Sequence, residues 1–253
     1  MSSTDQLAIR VLGGPTALIS YGGLRLLTDP TFDAPGDYPP GLTKTAPAAV
    51  TLAELGPIDA VLLSHDEHPD NLDHSGRALL ATVPVTVTTP SGAVRLGGTA
   101  LGLQPWQTTE LSRPDGGHVT VTAVPALHGP EAAGASAVLA VAGEVTGFVL
   151  TADDLPTVYV SGDNASLDHV RLIADRFAPV HTAILFAGAP RLPIFDGELL
   201  VLDSAGAASA AQLLDARWVV PAHCDSWSHF TEGIDDIKAA FAAAGLADRL
   251  QLP

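Results

Sequence analysis

The sequence predicts an α/β sandwich, with two mixed β-sheets packed face to face and helices on the outer faces. Three observations carry that expectation. Strand-like runs follow one another directly in the early part of the chain, while later strands alternate with helices. Hydrophobic residues make up 47% of the 253 residues and aromatics only 5%, so the core is built from Val, Leu, Ile and Ala. No glycine-rich phosphate loop follows the first strand, which argues against a doubly wound nucleotide-binding sheet.

The elements follow in order. Residues 7–12 and 16–21 alternate as strands, and Gly22-Gly23 turns the chain into a third strand at 24–28, which Asp29-Pro30 ends. Four prolines (Pro35, Pro39, Pro40, Pro47) with Gly36 and Gly41 make residues 31–50 a long loop of the kind that forms lids or substrate walls. A short helix at 51–55, a strand at 58–63 and a helix at 73–81 come next, then strands at 85–88, 100–103, 107–111 and 119–124. Residues 137–141 and 146–150 read as a hairpin around Gly143-Glu144, and 158–161 as a strand. Val170, Ile173, Ala174 and Phe177 share one face of a helix over 168–177. A buried strand at 182–186, an Ala-rich helix at 204–214, a strand at 218–221 and a helix at 234–244 complete the chain.

Charge and cysteine content narrow the function. Twelve Lys+Arg against 28 Asp+Glu give a net charge of −16 with no basic run, which disfavours nucleic acid and anionic membrane surfaces as partners. Cys224 is the single cysteine, so no intrachain disulfide forms and a reducing compartment fits. Residues 1–6 lack the pattern of a signal peptide, and no run of about 18 apolar residues occurs. The expected location is the cytoplasm and the expected partner a small molecule; the sequence leaves monomer and homo-oligomer both open.

The chemistry concentrates at strand ends. The apolar run Val61-Leu62-Leu63 breaks into Ser64-His65-Asp66-Glu67-His68-Pro69-Asp70-Asn71-Leu72-Asp73. His128, Asp163 and His223 each follow a strand-like run of their own. Neutral imidazole and carboxylate are the groups that zinc and similar divalent ions take from proteins, so four apolar strands ending in such groups point to a metal site. Asp29 and Asp73 are candidate acceptors for the outer N–H of ligand imidazoles. His74, His118, His169 and His181 are expected to be structural or solvated.

These motifs give the chain a resemblance to the metallo-β-lactamase fold superfamily, specifically its UlaG-like and RomA-like metal-dependent hydrolases. Thr16–Ile19 with Gly22-Gly23 and Leu27-Thr28-Asp29-Pro30, Ser64 to Asp73, His128, Ser161-Gly162-Asp163 and Val220-Pro221-Ala222-His223 fall in the order of that family's motifs. The resemblance spans nearly the whole length and implies one metallo-β-lactamase-fold domain over 1–253. It implies that His65, His68 and His128 hold one ion, and that Asp163 bridges to a second completed by Asp70 and His223. It further implies that Asp70 orients the attacking water and shuttles its proton, and that the metal is zinc, as one or two ions, with iron or manganese as alternatives. The family spaces its first two imidazoles two residues apart; here they are three apart. In one register Asn71 replaces the motif's last histidine, and in the other Glu67 is the replaced imidazole. Asn71, Glu67 and His229 are therefore candidate weak ligands or substrate contacts. The implied activity is hydrolysis of an ester, lactone, amide or phosphodiester of a small metabolite; the alternative is a degenerate member that binds a metabolite or protein.

Overall fold

The computed structural model describes residues 7–252; the expectation of no signal peptide in residues 1–6 concerns residues outside that range. The chain opens as an antiparallel meander of β1 (Leu7–Gly13), β2 (Thr16–Tyr21) and β3 (Leu24–Thr28). Along β2, Ala17, Ile19 and Tyr21 are fully buried at a spacing of two, as a strand with one face on a core requires. Gly22 and Gly23 take the left-handed conformation at both turn positions, φ 59° and 83°.

Part of the stretch expected to be irregular forms a small hairpin, β4 (Gly36–Tyr38) and β5 (Leu42–Lys44). Its own pairing is too short to be stable alone. External contacts hold it: the Tyr38 ring stacks on His74 and packs against Trp227, Thr45 N–H donates to the Ser226 carbonyl, and Ser228 N–H donates to the Thr43 carbonyl. Helix α1 (Leu52–Leu55), capped by Thr51, leads into β6 (Ala60–Leu62), which lies parallel to β3. Helix α2 (His74–Leu80) follows, then β7 (Thr86–Thr88), α3 (Pro90–Leu96) and β8 (Ala100–Gly102). Helix α3 lies outside the elements expected from sequence, although Thr89 as N-cap, Pro90 at the first helical position and Gly97 beyond the end are standard start and stop signals.

The second half builds the facing sheet from β9 (Thr108–Ser112) and β10 (His118–Pro125). Helix α4 (Ala135–Ala142) stands where the first strand of a hairpin was expected. Its Ala-rich sequence favours helix, Gly134 and Gly143 bound it, and it buries Val138 and Ala142 four residues apart. There follow β11 (Thr146–Ala152), β12 (Leu155–Val160), α5 (Leu167–Phe177), β13 (Thr182–Phe186), α6 (Ser204–Leu213), β14 (Trp218–Ala222) and α7 (Ile234–Ala243). The strand orders are β1-β2-β3-β6-β7-β8 and β14-β13-β12-β11-β10-β9.

The core is layered accordingly. Ile19, Leu26 and Leu62 of one sheet pack with Val121, Phe148 and Ile184 of the other. The outer face of the second sheet (Tyr159, Leu185, Val219) is covered by Val170, Ile173, Ala207 and Phe241 of the helices, and that of the first (Leu27, Val61, Leu63) by Leu55 and Leu80. Helix, sheet, sheet, helix is the layering the sequence predicts. The contact with α2 is tight: a Cβ on Gly76 would stand 1.8 Å from the Pro30 carbonyl oxygen. No described helix is long and apolar enough to cross a membrane.

Candidate metal centre

Strands β3, β6, β12 and β14 stop at one edge of the sandwich, because parallel neighbours share the direction of their C-terminal ends. The residues just beyond them meet there. Asp29 and His223 leave β3 and β14 in the left-handed region, φ 30° and 53°, an uncommon conformation for residues other than glycine. At Gly162, φ 57°, a Cβ would lie 2.6 Å from the Thr146 carbonyl oxygen, so this turn into Asp163 needs glycine.

Two groups of ligand-type atoms form, each with its atoms within 4.8 Å of one another: His65, His68 and His128, and Asp70, Asp163 and His223. Five of the six side chains are buried, and His68 is partly so. In the first group His65 Nε2 faces His68 Nδ1 at 2.8 Å, and His128 Nε2 faces the same nitrogen at 3.3 Å. His128 Nδ1 lies 2.9 Å from the Leu200 carbonyl oxygen. A carbonyl only accepts, so Nδ1 carries a proton and Nε2 is the nitrogen left to face an ion. His65 Nδ1 lies 3.0 Å from Ser64 Oγ, a hydroxyl that can donate or accept. Burial pushes His65 well below the ordinary imidazole value; burial, then the neighbouring His128, lowers His68. Neutral rings with converging lone pairs are what a divalent cation needs.

In the second group His223 Nε2 lies 3.4 Å from Asp163 Oδ1 and 3.5 Å from Asp70 Oδ2, and neither ring nitrogen of this buried histidine has a hydrogen-bond partner. Burial opposes its protonation, but the Asp163 and Asp70 carboxylates outweigh this and raise it to about 10. Burial likewise works against the ionised form of both carboxylates, and His223 outweighs it, holding Asp70 well below the carboxylate range and lowering Asp163. The two carboxylates that favour a proton on His223 would equally favour a divalent ion in place of that proton.

The two candidates for the substituted position face different surroundings. Asn71 is fully buried, its Nδ2 donates to Asp163 Oδ1 at 3.1 Å, and its Oδ1 has no partner. Glu67 turns outward to Arg95 Nη2 at 2.9 Å and is in neither ligand group. Asp66, between the first two histidines, is clamped from outside: Arg95 Nε donates to both of its carboxylate oxygens, 3.0 and 3.1 Å, and Arg77 donates to its carbonyl. His229 Nε2 stands 3.0 Å from Asp70 Oδ2, part-exposed in the cleft.

The two aspartates expected to orient ligand rings do something else. Asp29 accepts the Ser64 N–H at 2.7 Å, positioning the backbone that carries His65. Asp73 accepts the Gly76 and Asp33 N–H groups and pairs with Lys44 Nζ at 3.1 Å. The ring-orienting partners are Ser64 Oγ and the Leu200 carbonyl; a backbone acceptor 72 residues from His128 leaves no sequence signal. Burial pushes the Cys224 thiol up to about 12, so it is protonated at neutral pH.

Residues 24–224 match the family model described as "Beta-lactamase superfamily domain". The chain is 30% identical over 187 residues to a metal-dependent hydrolase of Methanosphaerula palustris, covering 72% of this chain and 75% of the relative. It is 29% identical over 252 residues to one of Pyrobaculum neutrophilum, covering 95% and 94%. Among solved structures, a possible metal-dependent hydrolase from Veillonella parvula superposes with a TM-score of 0.82 at 16% identity, covering 98% of this chain and 96% of that one. An isothiocyanate hydrolase from Delia radicum gut bacteria superposes with 0.80 at 20% identity, covering 97% and 95%. The chain belongs to the β-lactamase superfamily of metal-dependent hydrolases.

Proposed function

We propose that this protein hydrolyses an ester, lactone, amide or phosphodiester of a small metabolite. In this reading His65, His68 and His128 hold one divalent ion, and Asp70, Asp163 and His223 a second. Zinc suits the three imidazoles, while iron or manganese suits the more oxygen-rich second position. The observation that carries the reading is the pair of converging triads beside a cleft, with bare or unpartnered imidazole nitrogens in each. When bound, the ions supply Lewis acidity and an activated water. The chain's own part is to hold and move protons: in this reading Asp70, whose Oδ2 lies 3.0 Å from His229 Nε2, takes a proton from the attacking water and passes it to the leaving group.

A UlaG-like assignment within the superfamily and a cytoplasmic location accord with the motif order, the single cysteine and the acidic charge. A second reading, a retired centre that binds without turnover, draws on Asn71, which donates to Asp163 where the family pattern has a ligand. Hydrolysis of p-nitrophenyl acetate, a simple lactone and bis-p-nitrophenyl phosphate by zinc-loaded protein tests the proposal. Turnover that is abolished by His65→Ala supports it. Under a tenth of an equivalent of metal after gentle purification, with no turnover after reloading, would favour the retired centre.

A further inference from the structure

The cleft above the two triads encloses about 440 Å³, the volume of roughly fifteen water molecules in the liquid. Its floor is polar, formed by His68, Asp70, His128, Asp163 and His229. Its walls are not. One is the tip of the β4–β5 hairpin, Pro39, Pro40 and Leu42; the other is the segment carrying Pro190, Leu192 and Leu200. Both walls are braced. The hairpin hangs on Tyr38, Lys44 and the Thr45 and Ser228 amides, while Leu200 N–H donates to the Pro190 carbonyl at 2.9 Å and Arg191 bridges to Leu199. Leu192 is 40% exposed, an apolar side chain left facing solvent at the cleft.

Charge complements this picture. Arg191 is the one Lys or Arg among the residues lining the cleft, and its Nη1 donates to the Gly197 carbonyl. Asp70, Asp163 and Glu67 line it too, and the whole chain carries −16. The two floor carboxylates offset half the charge that two divalent ions would bring. The other half stays concentrated at the floor, over the reacting group; at the walls, Arg191 is the one cation that a phosphate or carboxylate on the distal part of a substrate would meet.

We propose that the cleft takes an uncharged carboxylic ester or lactone with a compact apolar chain, the chain lying between the Pro39–Leu42 and Pro190–Leu200 walls and the acyl carbon over the His/Asp floor. The proposal rests on the metal-hydrolase reading and narrows it, setting phosphodiesters and polyanionic metabolites aside.

Hydroxamates separate the two levels, because the head chelates the metal and the tail probes the walls. Calorimetry on zinc-loaded protein should show hexanohydroxamate binding at least tenfold more tightly than the monohydroxamate of succinic acid, a preference that two methylenes withdrawn from water suffice to give. Leu192→Lys, at an exposed position that does not endanger folding, should narrow the preference to under threefold. Equal affinity for the two tails, or a preference unchanged in Leu192→Lys, would overturn the proposal while leaving the metal centre standing. Failure of acetohydroxamate, the bare head, to bind would instead overturn the metal reading and the proposal with it.

Discussion

Asp73→Asn separates two roles that one carboxylate could have. Lys44 and Asp73 are 1% and 0% exposed at their side chains, with Nζ 3.1 Å from Oδ2. At an effective dielectric of about 20 their attraction is about 5 kcal/mol, most of it offset by the desolvation of both charges. Removing one partner of such a pair costs about 3–5 kcal/mol, because the other charge stays buried. In Asp73→Asn the Lys44 ammonium keeps the Thr31 carbonyl but loses its counter-ion, and the Asp33 N–H loses a charged acceptor. The Gly76 N–H keeps a cap through the amide oxygen. We expect a loss of about 3–4 kcal/mol in urea unfolding, part of it recovered in Lys44→Met/Asp73→Asn, where no buried charge is left alone. Zinc affinity, read by competition with a chromophoric chelator, should stay within about threefold, since Asp73 touches no ligand ring. An acceptor for a ligand imidazole would instead lose about 10–100-fold in metal affinity. A stability loss under about 1 kcal/mol with a tenfold weaker zinc site would refute this reasoning.

Asn71→His should raise occupancy of the second metal position, measured as metal per chain by elemental analysis; no gain would show that the loop geometry, not the missing imidazole, limits that site. Cys224→Ala should leave metal content and turnover unchanged, because the thiol titrates at about 12 and is not in either triad. Burial of Asp33 opposes its ionisation, but hydrogen bonds from Ser75, Tyr38 and His74 outweigh it and lower its value. Its contribution to stability is therefore complete above the unfolded carboxyl value of about 3.9 and is lost as pH falls through the lower folded value. In Asp33→Asn the acid limb of the stability profile should flatten; an unchanged profile would contradict this.

Much of this was legible because period and punctuation agree. The alternation in β2, the turn glycines and the abrupt switch from Val61-Leu62-Leu63 to ligand-type residues each report locally on what the fold does. What stayed hidden is set at long range. Residues 137–141 are expected as a strand from their apolar run, yet α4 forms there, burying Val138 and Ala142 one turn apart. The hairpin at 36–44 owes its order to Tyr38 and Lys44 meeting Trp227, His74 and Asp73 from distant parts of the chain. Asn71 and Glu67 are interchangeable as letters in a shifted motif; only the fold turns one toward Asp163 and the other toward Arg95.

Anomalous diffraction at the zinc edge from crystals of the zinc-loaded protein is the most direct measurement. A peak is expected among His65, His68 and His128, with a second, weaker or equal, among Asp70, Asp163 and His223. Clear density for all six side chains with no anomalous peak between them, or peaks only at surface carboxylates, would contradict it.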